Sequence, residues 1–170
     1  IVDHDALDSA GLVPLGAFAA GIPGLVNRLV IEADLVIATG VVEPHQYAGY
    51  SGGGKTVAIG CGGEPTIGVS HGVTLLDDPG TRLGNLDGNR FHEAAFAIGE
   101  RAGLRFVVNC VLNDAGGVVA LGRGAAADVL ADARAYAEAE ERVAEALLAG
   151  EPMPAAYRHK AEVVARLLDR

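Results

Sequence analysis

The sequence is short of positive charge, of cysteine and of long apolar runs, and each shortage removes a class of function. Thirteen Lys+Arg stand against 22 Asp+Glu, a formal net charge of −9. No basic footprint is therefore available for nucleic acid or for an anionic membrane surface. No stretch approaches the roughly 18 consecutive apolar residues that a membrane span requires, and the opening residues lack a secretory pattern. Two cysteines, Cys61 and Cys110, cannot build a disulfide framework, and the expected compartment is a reducing cytoplasm. An initiator is missing too. The chain opens Ile1-Val2-Asp3-His4-Asp5 and its one methionine is Met153, so a trimmed terminus and a domain excised from a longer protein are both open.

What is present is ordinary for a globular domain: 50% of the 170 residues are apolar, with 24 glycines, so much of the backbone must bend tightly or approach something closely. Residues 1–30 read as loop-rich, punctuated by Gly11, Pro14, Gly16, Gly21, Pro23 and Gly24. The run 33–40 (ADLVIATG) reads as a strand buried on both faces, as in a parallel sheet. Residues 41–55 form a polar, glycine-rich loop, and 56–60 a short apolar piece. Helical spacing over 91–102 places Phe91, Ala95, Phe96 and Ile98 on one side. Leu104 to Leu112 reads as a second strand, and a turn at 113–117 leads into Val118–Leu121 as a hairpin. Helices are expected over 125–149 and from about Ala155 to Leu168. The whole predicts a single α/β domain over 1–170, a mostly parallel sheet with flanking helices and a helical tail from about 125.

Chemistry concentrates in Glu43-Pro44-His45-Gln46-Tyr47-Ala48-Gly49-Tyr50-Ser51-Gly52-Gly53-Gly54-Lys55-Thr56. This loop follows a strand, where α/β proteins place ligands. Gly52, Gly53 and Gly54 leave their N–H groups free to approach an anion or a flat ligand, and a lysine directly after them can serve as a charge or, desolvated, as a nucleophile. Gly49 to Thr56 fits the phosphate-loop pattern G-x-x-x-x-G-K-[ST] literally. Its context does not fit, because Val41–Ala48 separate the strand from the first glycine and Gly60, Gly62, Gly63 and Pro65 leave no room for the long helix that should follow. His45 and His71 both lie among small residues, an environment suited to a metal ligand or a general base. The bland alternative is two loop histidines and a solvated lysine. Cys61, between Gly60 and Gly62, reads as better placed for reactivity than Cys110 in its strand. His92 reads as a helix-start residue, and Asp77-Asp78 before Pro79-Gly80 as a turn.

The stretch from Glu32 through Pro44-His45 and Ser51-Gly52-Gly53-Gly54-Lys55 to His71 resembles the amino-terminal, cofactor-binding domain of the nickel-dependent lactate racemase family. His4-Asp5, Asn27-Arg28 and the segment from Asn89-Arg90 to Asn109 extend the likeness over most of residues 1–125. The resemblance implies a racemase or epimerase of a 2-hydroxy acid, working by hydride transfer through a planar 2-keto acid. It implies nickel and a pyridinium-3,5-bisthiocarboxylic acid mononucleotide, the nickel pincer, joined covalently to Lys55 through a thioamide. His71 would be the protein ligand to nickel, His45 one of two acid/base histidines, and Ser51 with Gly52, Gly53 and Gly54 the cofactor cradle. Implied partners are a small 2-hydroxy acid and the cofactor-synthesis proteins.

The family's second acid/base histidine lies upstream in a Gly-x-His-Arg segment that has no counterpart here, and a further domain is missing. The chain therefore reads as a fragment of a longer racemase-like protein or a truncated paralogue. A non-catalytic cofactor- or metal-binding module and a phosphate-loop nucleotide binder are the rival readings.

Overall fold

A computed structural model describes residues 1–112 and 118–125. The chain divides into two compact units, Ile1–Ala131 and Asp132–Arg170, and the described residues belong to the first. Apart from Ala125, the helices expected over 125–149 and 155–168 lie outside the described residues, as do the turn at 113–117 and the rest of the tail.

The first thirty residues are more regular than their glycine and proline content suggests. β1 (Leu12–Ala17) and β2 (Pro23–Asn27) pair antiparallel, with an irregularity between Pro14 and Gly16. Gly16, at φ +102°, supplies the left-handed backbone that lets the strand bend there. Asn27 ends β2 and caps the short helix α1 (Arg28–Ile31), its Oδ1 accepting from the Leu29 N–H at 2.9 Å. Its Nδ2 donates to His4 Nδ1 at 3.0 Å, and His4 Nε2–H donates to the Gly62 carbonyl at 2.8 Å. His4 is thus a clasp for the chain's opening segment.

β3 (Val36–Val41) pairs in parallel with β6 (Leu104–Leu112), and β6 pairs antiparallel with β7 (Val118–Gly124), giving the order β3-β6-β7. The α/β class and the hairpin follow the expectation, but parallel pairing is confined to β3–β6 among the described strands. The remaining pairs are hairpins, which short connections make antiparallel.

Helix α5 (Arg90–Arg101) opens under an Asn89 cap that accepts from the His92 N–H at 3.0 Å. Its apolar side brings Phe91, Ala94, Ala95 and Ile98 into a core with Ala38, Val57, Ala58, Leu104 and Val107. The expected burial of β3 on both faces does not hold. Ile37 is 53% exposed and its register partner Phe106 38%. The described helices cover one face of this sheet, so inward residues are buried while alternate ones face outward.

Between the sheet strands the chain forms the small hairpin β4 (Pro44–His45) and β5 (Gly49–Tyr50), then three short helices: α2 (Gly54–Ala58), α3 (Glu64–Ser70) and α4 (Val73–Leu76). The apolar piece after Lys55 is therefore helical. It stops after five residues, far short of the helix a phosphate loop requires.

Candidate functional site

The β4–β5 hairpin brings His45 to the site and settles its protons. Pro44 pairs with Tyr50 and His45 with Gly49, with Gln46, Tyr47 and Ala48 forming the turn. In so tight a turn the Tyr47 and Ala48 N–H groups have no strand partner. Both donate instead to His45 Nδ1, at 3.2 and 3.1 Å. A nitrogen that accepts carries no hydrogen, so the neutral ring holds its proton on Nε2. Burial, then the Lys55 charge, then His71 push the His45 pKa down to about 4. The ring is neutral at pH 7.

His71 comes from a different kind of element. It follows α3, whose Thr66 is bound into β2: the Thr66 hydroxyl donates to the Pro23 carbonyl at 2.7 Å and accepts from the Leu25 N–H at 3.0 Å. At the helix end the Ile67 carbonyl accepts from the His71 backbone N–H at 3.0 Å. It also takes the Ser70 hydroxyl at 3.0 Å and His71 Nδ1 at 3.0 Å, and Ser70 Oγ itself lies 3.0 Å from Nδ1. A carbonyl can only accept, so Nδ1 carries the proton and Nε2 presents its lone pair. This is the arrangement in which histidines bind metals, the second nitrogen being held by a backbone carbonyl.

The two imidazoles meet over shared aromatic rings. Their centroids are 6.2 Å apart at 79°. His71 meets Phe91 edge-on at 5.0 Å and Tyr47 at 5.2 Å, and His45 lies 6.2 Å from Phe91. Phe91 is fully buried and forms the floor. Asn89, also fully buried, donates from Nδ2 to the Tyr47 carbonyl at 2.8 Å and the Asn85 carbonyl at 2.9 Å, tying the His45 turn to the start of α5. Phe91 was visible in the sequence only as part of a helix face, and Asn89 not as a site residue at all. The usable signal was a capping Asn immediately before the helix.

Lys55 sits in the first turn of α2, half-buried, and burial lowers its pKa. Its charge is among those acting on His45, so the fold brings 45, 55 and 71 within one electrostatic neighbourhood. The cradle residues have packing reasons of their own. Gly52 and Gly53 adopt positive φ, +79° and +54°. A Cβ on Gly54 would stand 2.8 Å from Phe96 Cα and 2.9 Å from the Ala95 carbonyl oxygen, so this glycine lets α2 press against α5. Ser51 spends its one proton on the Val41 carbonyl at 2.7 Å and accepts from the Glu43 N–H at 2.9 Å, clamping the loop to the end of β3.

Other candidates stand apart in role. His92 packs on Phe96 at 5.3 Å, with burial lowering its pKa against the opposing effect of Glu93. Burial pushes the Cys61 thiol up, away from the thiolate a reactive cysteine needs. Gly80 N–H bonds Asp78 Oδ1 at 2.9 Å, the expected turn. Among the described residues no three or more His, Cys, Asp or Glu side chains gather to hold a metal ion.

Residues 1–84, which include His4, His45, Lys55 and His71, match the family described as lactate racemase N-terminal domain. The chain is 35% identical over 114 residues to the lactate racemase of Lactiplantibacillus plantarum, covering 67% of this chain and 27% of that protein. It is 32% identical over 118 residues to the lactate racemase of Thermoanaerobacterium thermosaccharolyticum, covering 69% and 28%. In structure it is similar to the lactate racemase apoprotein from Thermoanaerobacterium thermosaccharolyticum, with a TM-score of 0.68 and 26% identity over 78% of this chain and 32% of that one. A Thermotoga maritima protein shares the fold, with a TM-score of 0.66 and 22% identity over 81% and 38% of the two chains. The chain spans little more than a quarter of the length of the curated relatives it matches.

Proposed function

From the membership of this chain in the lactate racemase N-terminal domain family, carried by residues 1–84, we infer that it supplies the cofactor-holding part of a 2-hydroxyacid racemase or epimerase. The observation that carries this reading is the opposite partners of two neighbouring imidazoles, Nδ1 of one facing two backbone N–H groups and Nδ1 of the other facing a carbonyl, beside a half-buried lysine.

The donor set fits a nickel-pincer nucleotide. His71 Nε2 would ligate nickel, with Nδ1–H on the Ile67 carbonyl fixing the ring's direction. Imidazole together with sulfur and carbon donors suits square-planar nickel. Lys55 would be the attachment point. Its nitrogen must shed a proton before it could bond a thiocarboxyl carbon, whose C–O bond would break with the oxygen leaving as water to give the thioamide, and burial assists that proton loss. Gly52, Gly53 and Gly54 shape the backbone that presents it. Ser51, its hydroxyl proton engaged, holds the loop rather than donating to an anion. When bound, such a group would accept and return a hydride at the substrate's C2.

His45 would manage the proton on the C2 oxygen. With Nδ1 turned to the turn amides, Nε2 is the nitrogen left for a substrate. In the neutral ring it donates to a keto oxygen, holding it in line and stabilising charge that builds there. For Nε2 to take the hydroxyl proton, Nδ1 would have to gain the proton that Tyr47 and Ala48 now exclude. The ring as held is therefore set to donate, and a second group must take the hydroxyl proton. The substrate is a small 2-hydroxy acid.

The test is intact mass and nickel content after production together with cofactor-synthesis enzymes. The expected result is a covalent adduct that Lys55→Ala abolishes, and bound nickel that His71→Ala loses. An adduct that survives Lys55→Ala, or nickel that is indifferent to His71→Ala, would remove this reading.

A further inference from the structure

Asn109 is buried in the wrong chemistry for a core. It lies on the central strand β6, 2% exposed, and among the described residues neither Oδ1 nor Nδ2 has a hydrogen-bond partner. An unpaired buried amide is costly, and such groups are rare in folded proteins. Its neighbours across the sheet carry no side chains. Its register partner on β3 is Gly40 and on β7 Gly122. A Cβ on Gly40 would stand 3.4 Å from Asn109 Oδ1 and equally 3.4 Å from Thr56 Oγ1. A Cβ on Gly52 would stand 2.7 Å from Asn109 Nδ2. The carboxamide therefore borders Gly52, and it and the Thr56 hydroxyl both face the space over Gly40; the segment between Gly52 and Thr56 carries Lys55.

We propose that Asn109 is a positioning residue for Lys55, its carboxamide the latch that receives the Gly52–Thr56 segment when the lysine reacts. A carboxamide offers a donor and an acceptor side by side, the complement of a peptide group or of a hydroxyl with a neighbouring N–H. Gly52 and Gly53, both at positive φ, are backbone able to resettle onto it. The unmade bonds are then the difference between the resting and the reacting states, and a ligand or reaction that favours the second gains them. The latch rests on the reading of Lys55 as the attachment point, but it belongs to this chain's own residues.

The experiment uses the unloaded protein. Only two lysines occur, Lys55 and Lys160, so acylation by a small N-hydroxysuccinimide ester can be followed at each by peptide mass, with Lys160 as the internal control. Asn109→Leu removes two unpaired polar atoms at similar volume, so its melting temperature is expected to equal or exceed that of the wild type. Its Lys55:Lys160 acylation ratio is expected to fall by roughly fivefold to tenfold. Asn109→Ala serves if the leucine variant does not fold, with the same expected fall. An unchanged ratio in either folded variant overturns the proposal. So does a lower melting temperature for Asn109→Leu with the ratio retained, which would mean that buried water satisfies the amide and the residue is structural. An Asn109-dependent ratio in a protein that takes no adduct when produced with cofactor-synthesis enzymes would leave the latch standing and remove the racemase reading.

Discussion

The turn at 45–48 and the helix end at 67–71 each deliver an imidazole to the same aromatic floor, and they deliver opposite ones. A tight hairpin turn leaves backbone N–H groups unpaired, so the ring must accept at Nδ1 and hold its proton at Nε2. At the end of α3 a carbonyl, Ile67, faces Nδ1 and can only accept, so the ring donates there and bares Nε2. The chemical difference between a proton handler and a metal ligand thus comes from which backbone group each element turns toward Nδ1.

The strongest way to break this comparison is to remove what the two regions share. Phe91→Ala should cost about 3–5 kcal/mol of stability in denaturant unfolding, because a fully buried ring that touches both imidazoles leaves a cavity. A loss below about 1 kcal/mol would mean the floor is not shared.

The comparison itself is read directly by ring-nitrogen NMR near neutral pH. The expected spectra show His45 protonated at Nε2 and His71 at Nδ1; the same tautomer at both would end the argument from the backbone groups that face Nδ1.

Titration sharpens the electrostatic half. His45 should titrate near pH 4, and Lys55→Met should raise that value, because burial and then the lysine charge are the leading causes of the depression. Between pH 6.5 and about 4 the unfolded ring takes up a proton that the folded ring refuses. The stability contributed by the neutral ring is therefore complete above pH 6.5 and drains away as pH falls toward 4. A His45 titration unmoved by Lys55→Met would separate the lysine from the site.

The smallest expected effect is that of Ser70→Ala. It deletes the hydroxyl's bond to the Ile67 carbonyl and its contact with His71 Nδ1, about 1 kcal/mol, and should leave the His71 tautomer unchanged because that carbonyl still accepts from Nδ1. A proton that moves to Nε2 in this variant would assign the orientation to Ser70 instead.

Much of the framework was readable. β6 runs over the residues its apolar, β-branched composition indicates, and α5 follows the spacing of Phe91, Ala95 and Ile98 with its cap at Asn89. The β1–β2 pair was hidden because Pro14, Gly16, Pro23 and Gly24 are loop formers taken singly, whereas here Gly16 makes the irregularity and the prolines lie within paired strands. α3 and α4 were hidden by Gly63, Gly68 and Gly72, so His71 read as a loop residue when it closes a helix. Outward exposure of Ile37 and Phe106 could not be read from two apolar runs, since a run does not say which of its faces the neighbouring helices cover.

By itself the sequence determined the α/β alternation, the family, and the identity and order of His45, Lys55 and His71, because composition, periodicity and motif spacing are properties of the covalent chain. Only the tertiary structure decided which imidazole nitrogen carries a proton, why the glycines of the loop are glycines, and that Asn109 lies unpaired beside the segment bearing Lys55. Those outcomes depend on which groups come to face one another once distant elements pack together, and no local stretch of residues contains that information.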